Sequence, residues 1–215
     1  MSIRSEIEAR LAAAPVVPLI AEDDPAVAVK TAKALQAGGL TVIEVVMRSD
    51  AALQGMEAII AETEGLIVGA GTVLTREQAQ AVRKAGSQFT VCPGLVDDIV
   101  EYCQGEGIPV YPGTMTAGEV QRAYALGLRE VKFFPATLAG GVPMLKALGS
   151  VFREMRFMPT GGVSAANLPD FLALPHVIAC GGSWLTPKDA TQGGDFAAVE
   201  QLAREAVAIA GNSRT

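Results

Sequence analysis

The chain has 215 residues, half of them hydrophobic, 19% charged and 5% aromatic, with a formal net charge of −6. That content buries a large core in one domain of ordinary size, or at most a tight pair, and excludes wholesale disorder. The acidic balance argues against a nucleic-acid or anionic-membrane partner, and no apolar run approaches the ~18 residues of a membrane span.

Residues 1–11 carry scattered charges and no apolar signal core, so export is not expected. Glu6–Ala13 reads as an N-terminal helix, followed by a strand at Val16–Ile20 and a helix at Pro25–Ala37. A strand at Thr41–Val46, a helix at Ala51–Glu62 and a strand at Leu66–Ala70 come next. Thr75 and Gln78 have capping-box spacing ahead of a helix at Arg76–Ala85, which Gly86 stops. Phe89–Cys92 reads as a strand, Val96–Glu106 as a helix stopped by Gly107, and Pro109–Tyr111 as a strand. The pattern continues with a helix at Ala117–Leu126, a strand at Glu130–Phe133, a helix at Val142–Leu148 and a strand at Arg156–Met158. It ends with a helix at Ala165–Leu172, a strand at Val177–Cys180 and a helix at Phe196–Ala210.

Each strand is short and apolar, as strands covered on both faces should be. Eight strands, each followed by a helix, give the count of an α/β (β/α)8 TIM barrel with an extra N-terminal helix. The rival is a doubly wound open sheet. Its dinucleotide-binding form would carry Gly-x-Gly-x-x-Gly after the first strand, and none is there.

Polar residues that interrupt apolar strands are the informative ones. Glu44 lies within Thr-Val-Ile-Glu-Val-Val, Lys132 within Glu-Val-Lys-Phe-Phe-Pro, and Arg48 two residues past the second strand. Barrel active sites are built at such strand ends. Burial disfavours an ammonium, and a neutral amine is a nucleophile toward carbonyls, so Lys132 fits a Schiff-base role. Glu44 fits a proton-transfer role beside it. The pair equally fits a buried structural ion pair. Arg48 fits a bidentate carboxylate clamp or a solvated loop arginine.

The glycine pairs point to the other end of a substrate. Pro159-Thr160-Gly161-Gly162 follows the seventh strand and Gly181-Gly182-Ser183 the eighth, the recurrent phosphate site of these barrels. Gly69-Ala70-Gly71-Thr72 and Pro93-Gly94 end strands three and four and reach toward the mouth. Cys92, Cys103 and Cys180 read as reduced thiols, and with His176 they give no zinc spacing. A carboxylate-only magnesium site is left open by this count. An amine, a carboxylate, an arginine and a phosphate site suit carbon–carbon chemistry on a phosphorylated keto acid through an iminium.

Six ordered runs carry a closer resemblance. They are Pro15–Ile20, Ile43–Arg48, Val68–Leu74, Val131–Ala136, Pro159–Ser164 and Gly181–Leu185. Together they resemble the 2-keto-3-deoxy-6-phosphogluconate (KDPG) and 4-hydroxy-2-oxoglutarate aldolases over about residues 15–188. The resemblance implies a homotrimeric class I aldolase in a single domain, with no cofactor; the reduced thiols suit a cytoplasmic protein, and the residue set shows no metal site. The reaction would cleave the phosphorylated keto acid to pyruvate and glyceraldehyde 3-phosphate. It implies Lys132 as the imine lysine and Glu44 as the proton-transfer residue. Arg48 and Thr72 would hold the carboxylate, and Pro93 and Phe134 would line the pocket. Thr160, Gly161, Gly162, Gly182 and Ser183 would surround the substrate, with the glycines and Ser183 at the phosphate. Hydroxyoxoglutarate or phosphogalactonate specificity, a metal-free sugar-phosphate isomerase or epimerase, and a non-catalytic sugar-phosphate-binding barrel are the alternatives. Gly113-Thr-Met-Thr116 and the segment beyond Pro187 depart from the family pattern.

Overall fold

Strands β1 (Val16–Ile20), β2 (Val42–Val46) and β3 (Ile67–Gly71) are buried at every residue, which requires cover on both faces. In the computed structural model, which describes residues 2–213, helices give that cover outside and a curled sheet gives it inside. Before β1 comes α1 (Ile3–Ala13); α2 (Pro25–Ala37), α3 (Ala52–Glu62) and α4 (Arg76–Lys84) follow β1, β2 and β3. Then come β4 (Thr90–Val91), α5 (Asp97–Gly105), β5 (Val110–Tyr111), β6 (Gly113–Thr114) and α6 (Ala117–Ala125). The chain continues through β7 (Glu130–Phe133), α7 (Gly141–Val151), β8 (Arg156–Pro159) and α8 (Leu168–Leu172). It ends with β9 (Cys180–Gly182), α9 (Lys188–Gly193) and α10 (Phe196–Ser213).

All strand pairs are parallel. One sheet has the order β5-β4-β3-β2-β1-β9 and the other β6-β7-β8. Two seams link them. At one, only Pro112 separates β5 from β6, and its carbonyl accepts from Lys132 N at 3.0 Å. At the other, isolated bridges join Phe157 to Val177 and Thr160 to Gly181.

Several expectations shift at these seams. The fifth strand is split because Pro112 has no N–H to give a ladder. The last strand runs through Gly181 and Gly182, not Val177–Cys180, because Val17 and Pro18 of β1 take those glycines as partners. Helix α8 starts at Leu168, three residues later than expected. Ahead of it, the Asn167 side chain takes the Ser164 N–H at 2.8 Å and holds a turn. Helix α9 was not expected. Thr75 caps α4, but the Gln78 side chain accepts from Leu74 N and not from Thr75 N. The full reciprocal capping box is at Thr116 and Glu119.

Alternation along the strands divides the core in two. Val16, Ile20, Ile43, Val45, Val68, Val131 and Phe133 pack against the helices. Val17, Val42, Ile67, Phe89, Val91, Tyr111 and Met158 pack inside the curl, with Ile7 and Leu11 of α1 closing it from the strands' N-terminal end. Burying each of those two side chains contributes ~1.5–3 kcal/mol. Among the described residues, no helix is long and apolar enough to cross a membrane.

The same end holds a buried carboxylate. Glu130 opens β7, is 7% exposed and pairs with Arg4 of α1 at 2.8 Å. Burial pushes its carboxyl up, Arg4 opposes that, and nearby Glu8 adds to it. The folded chain therefore holds this proton more tightly than the unfolded chain. Glu130's contribution to stability is greatest below the ordinary carboxylate range and declines as pH rises through the raised value. Urea midpoints across that window should show a falling limb in the parent chain and a flatter one in Glu130→Gln.

Candidate active site

Two charged side chains point into the curl from opposite sides. On β2, Ile43 and Val45 face the helices, so Glu44 faces inward. On β7, Val131 and Phe133 face the helices, so Lys132 faces inward. Lys132 Nζ lies 3.5 Å from Glu44 Oε1, with side-chain exposures of 6% and 1%. Neither Glu44 oxygen has a hydrogen-bond partner, so the ion-pair contact is its compensation. Attraction at this distance is about 5 kcal/mol at an effective dielectric near 20. Burying two ions costs several kcal/mol each, so the pair is not explained as a net stabiliser. Lys132 Nζ also sits 5.3 Å from the centre of the Phe134 ring.

The neighbouring strand is shaped around the carboxylate. Gly71, in register with Val46, leaves the space Glu44 occupies: a Cβ there would lie 1.9 Å from Oε1. Thr72 follows at φ +57°, a left-handed conformation costing a β-branched residue ~1–3 kcal/mol. Arg48 leaves β2 through a tight turn in which its N–H donates to Val46 O at 2.8 Å.

These residues open onto a cavity of about 500 Å³ at the strands' C-terminal ends. Arg48, Thr72, Pro93, Lys132, Phe134, Thr160, Gly161, Gly162 and Ser183 line it together. Glu44 lies outside the lining, its carboxylate sealed beside Lys132. Gly182 does not line the cavity; Gly181 does. Alternation in β9 is the reason. The missing Cβ of Gly181 points at Thr160, and that of Gly182 points at the Trp184 ring, 2.1 Å from Cζ3.

The Thr160–Gly162 loop is held open by its carbonyls. Thr160 O and Gly161 O accept from Ala136 N and Thr137 N, and Gly162 O accepts from the Asn167 amide. Gly161 and Gly162 have φ of +95° and +77°, which side chains rarely adopt.

Three polar lining residues escaped the sequence reading: Glu22, Thr186 and Lys188. Glu22 stands just past β1 as Arg48 stands just past β2, and that parallel was the available signal. Glu-Asp-Asp looks instead like a solvated helix start, and Asp24 does cap α2. Thr186 is tied to Leu19 O at 2.7 Å, which brings the following Lys188 to the rim.

Cys92 lies in the field of the charged pair. Burial pushes its thiol up to about 12, with Lys132 opposing and Glu44 adding. Cys103 is raised by burial too, and all three cysteines are buried and outside any disulfide. Among the described residues, no group of three or more His, Cys, Asp or Glu is placed to hold a metal ion. Native protein at about pH 8 should resist iodoacetamide at Cys92, and urea should expose it to alkylation, as peptide mass mapping will register.

The KDPG and KHG aldolase family model matches residues 7–202. The KHG/KDPG aldolase of Escherichia coli (strain K12) is 45% identical, over 95% of this chain and 96% of its own length. The 2-keto-3-deoxy-6-phosphogluconate aldolase of Zymomonas mobilis ZM4, solved with 3-phosphoglycerate, superposes with a TM-score of 0.89 at 40% identity. It covers 95% of this chain and 96% of its own. The KDPG aldolase of Legionella pneumophila, solved with pyruvate captured as a covalent carbinolamine, has a TM-score of 0.88 at 37% identity, over 92% and 96% of the two chains.

Proposed function

The chain belongs to the KDPG and KHG aldolase family, and from that premise we propose how its residues perform the reaction. It is a class I aldolase that cleaves 2-dehydro-3-deoxy-6-phosphogluconate to pyruvate and glyceraldehyde 3-phosphate. The observation that carries the assignment of roles is the sealed Lys132–Glu44 pair at a cavity whose wall also holds Arg48.

Arg48 and Thr72 hold the keto-acid carboxylate. The loops at Gly161–Gly162 and Gly181–Ser183, with Lys188, hold the phosphate. Two anchors fix the chain between them and lower the entropic part of the barrier. Glu44, 3.5 Å from Nζ, takes the lysine's proton. The free amine adds to C2, forming a C–N bond and a carbinolamine. Glu44 returns that proton to the departing hydroxyl, and loss of water gives the protonated imine, which is the electron sink, with Glu44 again a carboxylate. A carboxylate in this position takes the proton from the C4 hydroxyl, and the C3–C4 electron pair moves into the iminium as an enamine. The aldehyde leaves. Protonation at C3 and hydrolysis of the imine free pyruvate and the amine. Phe134 and Pro93 keep the reacting centre apolar. The shorter 4-hydroxy-2-oxoglutarate is the weaker reading, because it would leave the distal loops unfilled.

The rest of the reading extends the same premise. The two sheets, joined through Pro112 and the bridges to β9, act as one eight-stranded barrel in a single domain over residues 1–215. The protein works in the cytoplasm as a homotrimer, and light scattering should give three times the chain mass.

Borohydride with pyruvate, followed by peptide mapping, should place an adduct on Lys132. Lys132→Ala should lose the adduct and nearly all turnover. Glu44→Gln should still trap some pyruvate, more slowly than the parent, while kcat falls ~10²–10⁴-fold. Normal turnover in Lys132→Ala would overturn the mechanism.

A further inference from the structure

Glu22 is a charged residue that the mechanism leaves without a task. It is 8% exposed, although Ala21 and Asp23 on either side are exposed. It lines the cavity, where Lys132 is the other buried charged residue; Arg48 and Lys188 are exposed at the rim. Among the described residues, nothing hydrogen-bonds or ion-pairs with its carboxylate. Unlike those of Glu44, its oxygens keep contact with the cavity, and a substrate that displaces the water there must offer them a partner or incur a substantial desolvation cost. An ionised carboxylate only accepts, so the group that satisfies it from the cavity must be a donor.

Its place around the mouth says which donor. Strand order puts Thr72 after β3, Arg48 after β2, Glu22 after β1 and Ser183 after β9, with Gly161 and Gly162 across the bridge after β8. Glu22 therefore stands on the wall between the carboxylate anchor and the phosphate anchor. The part of the substrate that spans this gap carries hydroxyls. The C4 hydroxyl gives its proton to Glu44, which leaves the C5 hydroxyl as the donor opposite Glu22.

We propose that Glu22 is a specificity-determining residue that accepts a hydrogen bond from the C5 hydroxyl of the phosphorylated keto acid and repels shorter keto acids ending in a carboxylate. The proposal rests on the aldolase reading above. A distal carboxylate at the C5 position would bring like charges together without a donor, so one side chain favours one substrate and disfavours the other.

The test compares 2-dehydro-3-deoxy-6-phosphogluconate with 4-hydroxy-2-oxoglutarate in the parent enzyme, Glu22→Gln and Glu22→Ala. In Glu22→Ala, kcat/KM for the phosphorylated substrate should fall about 10–100-fold, and that for hydroxyoxoglutarate should hold or rise. In Glu22→Gln, whose amide oxygen still accepts, the first loss should be smaller and the second gain should remain. Borohydride trapping of pyruvate at Lys132 should persist in both variants. Equal losses on both substrates, or no change on either, would overturn the role. Failure of the parent enzyme to trap pyruvate would instead overturn the aldolase reading beneath it.

Discussion

Two opposite charges, 3.5 Å apart and almost out of contact with water, constrain the rest of this molecule. They come from β2 and β7, which lie on different sheets and never pair. Only a sheet curled back on itself brings the two side chains together. The curl in turn needs inner side chains that fill it, helices that cover its outside, and a closed lower end. The apolar layer of Val17, Val42, Ile67, Phe89 and Met158, capped by Ile7 and Leu11, meets the first and third needs. Because the pair gains little net energy, its surroundings supply the stability. A chain that keeps such a pair has a use for an amine and a carboxylate in reach of one another.

The mouth of the curl distributes labour by strand. Each strand end contributes a different residue to the cavity wall, with Thr72 after β3, Arg48 after β2 and Ser183 after β9. Gly71 and Gly181 act by omission: each leaves a volume that a neighbouring side chain fills, Glu44 in one case and Thr160 in the other. Thr72 acts through strain, held in a left-handed turn by the strand before it. Strands hold the Lys132–Glu44 pair and loops make much of the remaining cavity wall, so that wall can change without disturbing the pair.

How much was legible in the sequence depended on contrast. Lys132 and Glu44 stood out because charge in an apolar strand is costly and therefore has a reason. Arg48 and the two glycine loops stood out by position after a strand. Glu22 did not, since three acids in a row resemble a helix start and one of them serves as one. The choice between Gly181 and Gly182 was out of reach because glycine has no side chain to show which face it takes. The break at Pro112 and the shift of β9 were hidden for a related reason. Both are set by partners distant in sequence, Pro112 O by Lys132 N and Gly181 by Val17. Local patterning gives strands and helices; pairing decides where they begin and end.

The packing of Trp184 has an optical consequence. It is the single tryptophan of the chain, its ring lies against the Gly182 backbone, and it follows directly on Ser183. All indole emission therefore originates at the distal loop, while the tyrosines report from elsewhere. The fold has placed its one bright fluorophore beside Ser183 on the cavity wall, so under the proposed mechanism a ligand at that wall and an imine at Lys132 would give separate signals in an unlabelled chain.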